Sequence, residues 1–301
     1  MLIDYTNTGF EKIVFDGKLT PLAKLCKMQK IIDIEELFGG TFNKVYKIQF
    51  PSGNAVLKIS PLWSQNGLLR ESWCIRQIQT GTSLRIPNIL AYCSKDNDIF
   101  PGHELLIIEF IPGRLIQQSD FCELELNRKI NRIYRQLHTV LMKGFGWLDD
   151  TFVGMYPAWS AFLKNIDNIE LTLNSHIIDD NELKWFIEQF TNTKPAIFEP
   201  CLLHGDFKWS NFILCGSEIV PIDFQNCYSG DYLYDIGIGL FFHPQMLPYI
   251  NLYTDDDNDA KTVILYGMRH AISAIGHRIS VHDSDGVQEA IIRYQELKKL
   301  L

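Results

Sequence analysis

The sequence predicts an α+β chain of two lobes, the first an antiparallel sheet with a helix against it and the second larger and mostly helical. Three observations lead there. The chain has 301 residues, past the size at which one hydrophobic core tends to divide. Between residues 34 and 60 short extended segments alternate with Gly, Pro and Asn punctuation, the mark of tightly turned strands. Beyond Pro112-Gly113 the apolar spacing changes to the helical period,. The boundary is therefore placed there, giving an N-terminal lobe 1–111 and a C-terminal lobe 112–301.

Taken in order, Thr20-Pro21 reads as an N-cap with proline at the first helical position, opening a helix to about Lys30,. Three strands follow, Ile34 to Phe38, Lys44 to Phe50 and Ala55 to Ser60, joined by Gly39-Gly40-Thr41 and Pro51-Ser52-Gly53-Asn54. Gly67 to Gln79 carries Leu68, Ile75 and Ile78 among charges, the pattern of a helix packed on that sheet,. Leu105 to Ile111 is a buried strand stopped by Pro112-Gly113. In the second lobe Ile130, Ile133, Leu137 and Val140/Leu141 mark a long helix, and Trp147, Trp159 and Trp185 read as core. Cys201-Leu202-Leu203 and a hairpin of Phe212 to Leu214 and Ile219 to Ile222 interrupt the helices.

With 28 basic and 36 acidic residues the formal charge is −8, and no Lys/Arg block is present. That argues against nucleic acid, whose phosphates need clustered positive charge, and suits a cationic or metal-chelated partner. The N-terminus has an early acid and no basic region before an apolar stretch, so no signal peptide is expected,. The apolar stretch 236–250 is broken by His243, Pro244 and Pro248, which argues against a membrane span. Seven scattered cysteines without a C-x-x-C pair fit reduced thiols in a cytoplasm.

The chemistry is concentrated in His204-Gly205-Asp206-Phe207-Lys208-Trp209-Ser210-Asn211 and, after the hairpin, Ile222-Asp223-Phe224. A hairpin brings its ends together, so Asn211 before its first strand and Asp223 after its second are expected side by side. Two oxygen donors suit Mg²⁺, which keeps waters and substrate phosphates in its shell. Asp206 lies in the same loop, placed to accept a hydroxyl proton. These are the parts of a phosphoryl-transfer site. For the phosphate donor, Lys58 on the third strand and Glu71 on the next helix are candidates, as is the Gly39-Gly40-Thr41 turn, whose backbone amides could cover phosphates. His204 and His138 read as scaffold and core histidines, and Asp235 as a cap and loop brace. The run Asp255 to Asp259 reads first as a solvated loop capping a helix near Ala260, with attraction of a cationic substrate as its sharper alternative,.

Together these residues resemble the aminoglycoside phosphotransferases and their relatives, small-molecule kinases of protein-kinase-like fold that include choline, homoserine, fructosamine and hygromycin kinases. The resemblance runs from Leu37 to Phe242. It rests on His204-Gly205-Asp206 with Asn211, Ile222-Asp223-Phe224, Gly230-Asp231-x-x-Tyr234-Asp235, Lys58 with Glu71, and Glu109-Phe110-Ile111-Pro112-Gly113. It implies Asp206 as catalytic base, Asn211 and Asp223 on Mg²⁺, Lys58 on the phosphates of ATP or GTP, and backbone near Glu109, Phe110 and Ile111 against adenine. The stretch from Phe207 to Leu214 followed by Gly230-Asp231 and Phe241-Phe242 adds a looser likeness to hygromycin-type kinases. Lys208, two residues after the base, stands where protein kinases place a lysine that touches the transferred phosphate and is expected to assist.

The sequence thus predicts a cytoplasmic kinase that phosphorylates a hydroxyl of a small molecule, cationic or neutral, with MgATP between the lobes. Antibiotic, sugar, amino alcohol and natural-product intermediate remain open as acceptor. A protein kinase is a rival, but only seven residues separate Asp223 from Asp231 and no A-P-E follows,. A catalytically silent nucleotide-binding protein of the same fold is the rival from another class.

Overall fold

The computed structural model of the chain describes residues 13–37, 42–166, 169–191 and 199–301. These form two compact units: one of the described residues up to Arg114 together with Ile213–Asn226, the other of Leu115–Phe212 with Cys227–Leu301. The hairpin after Phe212 thus belongs with the first unit, although the sequence boundary assigns it to the second lobe.

In the first unit a short helix α1 (Leu19–Leu25) precedes strands β1 (Asp33–Glu36), β2 (Lys44–Phe50) and β3 (Gly53–Ile59), helix α2 (Gly67–Gly81), and strands β4 (Ile89–Cys93) and β5 (Leu105–Glu109). The five strands form one antiparallel sheet in the order β1-β2-β3-β5-β4. Side chains alternate across it: Tyr46, Ile48 and Phe50 of β2, Ala55, Leu57 and Ile59 of β3, and Leu105 and Ile107 of β5 pack with Leu22 and Ala23 of α1. α2 buries Leu68, Glu71, Ser72, Ile75 and Ile78, a stripe at helical spacing. The first helix is shorter than its sequence pattern, stopping at Leu25 just before Lys27, which takes a left-handed backbone at φ 57°. β4 was not expected from the sequence. It carries no alternation, and its Leu90 is exposed. The hairpin pairs Phe212–Cys215 with Glu218–Pro221, and Arg114–Leu115 joins it as a third short strand.

The second unit contains α3 (Leu124–Leu137), α4 (Trp159–Lys164), α5 (Ile169–Asn174), α6 (Asp180–Thr191), α7 (Leu233–Phe242), α8 (Asp257–Ser280) and α9 (Ser284–Lys298). α3 buries Ile130, Ile133 and Leu137 as expected but ends there, leaving Leu141 exposed. α7 packs on α8 through glycine. A Cβ on Gly237 would meet the Cβ of Tyr266 at 2.6 Å and the Val263 carbonyl oxygen at 2.9 Å. A small antiparallel sheet orders Gly154–Tyr156, Phe145–Leu148, Tyr228–Gly230 and Cys201–Leu203. Of its strands only Cys201–Leu203 was expected. The others are three or four residues long and contain glycine, too short to show a period. Trp159 is core, whereas Trp185 is exposed beneath the Lys298 ammonium.

Five cysteines, Cys26, Cys93, Cys122, Cys201 and Cys215, are free thiols. Cys74 and Cys227 are disulfide-bonded, which corrects the expectation of seven reduced thiols. Among the described residues no helix is long and apolar enough to cross a membrane.

His243, just past α7, is fully buried and stacks on Phe121 at 3.9 Å between ring centroids. Burial pushes its imidazole down to about 3 from an ordinary 6.5. A histidine that stays neutral when folded but protonates when unfolded stabilises the fold fully above pH 6.5, and progressively less as pH falls toward 3,. Acidification from about pH 6 to 4 is therefore expected to remove ~1.4 kcal/mol per pH unit through this residue. His243→Phe keeps the stack and should flatten that part of the Tm-against-pH curve. Parallel curves for the two proteins would exclude the effect.

Candidate active site

Lys58 lies between Leu57 and Ile59 on β3, and the two-residue period turns it to the sheet face opposite theirs, where Glu71 of α2 meets it,. Its Nζ donates to Glu71 Oε1 at 2.7 Å and Oε2 at 2.9 Å, and to Asp223 Oδ1 at 2.9 Å. Burial alone would push the ammonium down, but the Asp223 and Glu71 carboxylates outweigh it and hold Lys58 above its ordinary value. Burial pushes the Glu71 carboxyl up, and Lys58 pulls it partly back. Glu71 also accepts the Phe224 backbone N–H. Asp223 has φ 67°, a left-handed conformation unfavourable for a side chain with a Cβ. That turn aims its carboxylate at Lys58 while the next amide reaches Glu71. One cation between two carboxylates leaves a net negative charge, so Lys58 can grip an anion only when Asp223 has another positive partner.

In the second unit the loop after Cys201–Leu203 is held from beneath. Asp235, buried in the first turn of α7, accepts the His204 N–H at 2.7 Å and the Gly205 N–H at 2.8 Å, and contacts His138 Nε2 at 3.1 Å. It is the loop brace the sequence suggested. It sits inside the first turn of α7 rather than at its cap, and Asp231 Oδ1, just before the helix, accepts the Leu233 N–H at 3.1 Å. Gly205 takes φ 76°, which glycine adopts without strain. Phe207 turns inward to stack on Tyr134 at 4.3 Å, so Asp206 and Lys208 on either side turn the other way. Asp206 Oδ2 receives Lys208 Nζ at 2.8 Å and Asn211 Nδ2 at 3.0 Å, and the same amide also donates to the Asp206 carbonyl at 2.9 Å. With Oδ2 so occupied, Oδ1 is the oxygen that can take a proton. With its Nδ2 committed, Asn211 offers Oδ1 as a ligand atom.

The expected residues are thus found in two clusters, Lys58 with Glu71 and Asp223, and Asp206 with Lys208 and Asn211. Gly39, Gly40 and Thr41 lie outside the described residues. Glu109 ends β5, and its carboxylate is a brace, accepting the Asn88 N–H at 3.2 Å and Nδ2 at 2.6 Å. The Phe110 ring lies under Lys47 at 5.5 Å, and Ile111 is buried. Asn211 and Asp223 bring oxygen only, the donor type that fits Mg²⁺. Among the described residues there is no group of three or more His, Cys, Asp and Glu that could hold a metal ion. The acidic run is a capping structure: Asp256 accepts the Asn258 and Asp259 amides of α8 at 2.8 and 2.9 Å, and Asp255 pairs with Arg135 at 3.3 Å.

Residues 33–258 match the phosphotransferase enzyme family, and the chain belongs to that family. It is similar to the chloroplastic protein-ribulosamine 3-kinases of Oryza sativa subsp. indica, 25% identical over 221 residues (68% of this chain, 61% of that one), and of Arabidopsis thaliana, 25% identical over 242 residues (76% and 68%). The chain therefore spans 61% of the length of the rice protein. Among solved structures it is similar to a thermostable mutant of aminoglycoside phosphotransferase APH(4)-Ia in ternary complex with AMP-PNP and hygromycin B. The TM-score is 0.75 at 16% identity, covering 93% of this chain and 97% of that one. The α+β protein-kinase-like fold expected from the sequence is the fold of the chain.

Proposed function

We propose that the protein is an ATP-dependent kinase that phosphorylates a hydroxyl of a small polyhydroxylated molecule. Asp206 orients that hydroxyl and takes its proton on Oδ1. Lys58, oriented by Glu71, holds the nucleotide phosphates, and the backbone at Glu109 to Ile111 meets the base. Asn211 and Asp223 would hold Mg²⁺, which when bound neutralises phosphate charge. As Asp206 becomes protonated its pairing with Lys208 weakens, which frees that ammonium to meet charge on the transferred phosphoryl group. The proton passes from acceptor to Asp206 and the phosphoryl group from ATP to the acceptor oxygen, leaving ADP.

The observation that carries this proposal is the tethering of Asp206 Oδ2 by Lys208 and Asn211, which holds the carboxylate in one orientation and leaves Oδ1 outside those two contacts. Family membership supports the reaction class, and the ribulosamine 3-kinase relatives favour sugar-derived acceptors. The test is acceptor-dependent ADP release with MgATP across ribulosamines, fructosamines, aminoglycosides and choline-like amines. Nucleotide binding without acceptor-stimulated release by any of them would favour a silent binding protein. Lys208→Ala is expected to lower kcat by about tenfold. A change below about threefold would remove Lys208 from the chemistry.

A further inference from the structure

α7 follows the catalytic loop outward along one stripe. Asp235 binds the Gly205 amide. One turn later Gly239 lies so close to Phe207 that a Cβ there would meet the ring at 2.5 Å. Phe242 is three residues further, so 235, 239 and 242 share one face of the helix. His243, the next residue after Phe242, lies 5.9 Å from the Phe207 ring between centroids, so α7 ends beside the loop segment that carries Asp206 and Lys208. Phe242 is half-exposed, and the His270 ring of α8 lies against it at 5.4 Å and against the buried Phe241 at 4.9 Å. His270 is itself only partly buried, and Lys208 is among the charges that act on it. Neither Phe242 nor His270 is used by the reaction steps above.

We propose that Phe242 and His270 form the acceptor-recognition wall beside Asp206, Phe242 packing on the C–H face of a sugar-derived polyol and His270 hydrogen-bonding a hydroxyl adjacent to the one phosphorylated. This rests on the proposed kinase function and names the residues that would set its acceptor. An imidazole suits the task because its neutral form both donates and accepts. Desolvation, with the Arg269 and Lys208 charges, pushes His270 below its ordinary 6.5, which favours the neutral ring at neutral pH. An aromatic face with one hydrogen-bonding group discriminates polyols from choline-like amines, which have no vicinal hydroxyl to satisfy His270.

The probes are a ribulosamine prepared from ribose and N-acetyl-lysine, and hygromycin B, each assayed for ADP release with MgATP. For the acceptor that the wild type uses, His270→Leu is expected to raise KM at least tenfold with KM for ATP within about twofold, and His270→Gln to recover most of the loss. Phe242→Leu should raise the same KM, and Phe242→Tyr should not. Equal effects of Leu and Gln at position 270, or KM for ATP moving with that of the acceptor, would overturn the inference while leaving the kinase proposal standing. A wild type that turns over neither polyol but does turn over choline would also overturn it. A wild type that transfers phosphate to no acceptor would defeat the kinase proposal, and this inference with it.

Discussion

Asp206→Asn is expected to lower kcat by about a hundredfold or more, with the affinity for nucleotide unchanged. The substitution is nearly isosteric, and what it changes can be followed atom by atom. Wild-type Oδ2 accepts from both Lys208 Nζ and Asn211 Nδ2. An asparagine in place of Asp206 can keep both contacts by leaving its amide oxygen in the Oδ2 position. Its NH₂ group then replaces Oδ1, and a donor stands where the acceptor hydroxyl must deliver its proton. The loop itself should hold, because Asp235 binds the His204 and Gly205 amides and Phe207 is anchored by Tyr134. Unchanged melting with lost turnover is therefore the expected pair of results, read by thermal unfolding and by acceptor-dependent ADP release. Turnover within about threefold of wild type would show that positioning alone, without a base, runs the reaction.

That cluster was accessible from sequence because its members are near neighbours: Asp206, Lys208 and Asn211 are separated by two and three residues, so one loop brings them together. Lys58 and Glu71 were accessible for another reason. Strand and helix periods each fix a face, and both residues fall on the faces that meet. What could not be read were consequences of distant contacts. Aspartate tolerates a left-handed backbone better than most side chains, but nothing in the sequence singles out Asp223 for it,. Asp235 lies inside the first turn of α7 rather than at its cap, drawn to amides some 30 residues away in the chain. Three strands of the small sheet are too short for a period, and they exist because neighbouring strands accept their backbone groups. Phe242 and His270 are ordinary members of helical patterns. Only the progression of α7 along the catalytic loop distinguishes them.

Lys58→Met should be the most destabilising single substitution in the first unit, at about 3–5 kcal/mol, because it removes one partner of a buried ion pair and leaves the other uncompensated. Glu71 is 1% exposed at its side chain and receives both of its short contacts from Lys58. Methionine fills much of the volume but donates nothing. Burial already pushes the Glu71 carboxyl up, and Lys58 is what restrains it. Without Lys58 the carboxyl should rise further and take a proton. A carboxyl whose folded value exceeds its ordinary 4.5 stabilises the fold at low pH and loses that contribution as pH rises through the folded value,. The variant should therefore recover part of its deficit as pH falls from about 7 toward 5, opposite to the acid sensitivity expected from His243. Lys58→Met with Glu71→Gln should be more stable than Lys58→Met alone, since glutamine carries no charge and can still accept the Phe224 N–H. The difference, read as a double-mutant cycle by urea unfolding, should exceed about 1 kcal/mol. Additive effects would mean that Lys58 is held mainly by Asp223, and that Glu71 is a packed neighbour with little influence on where the ammonium points.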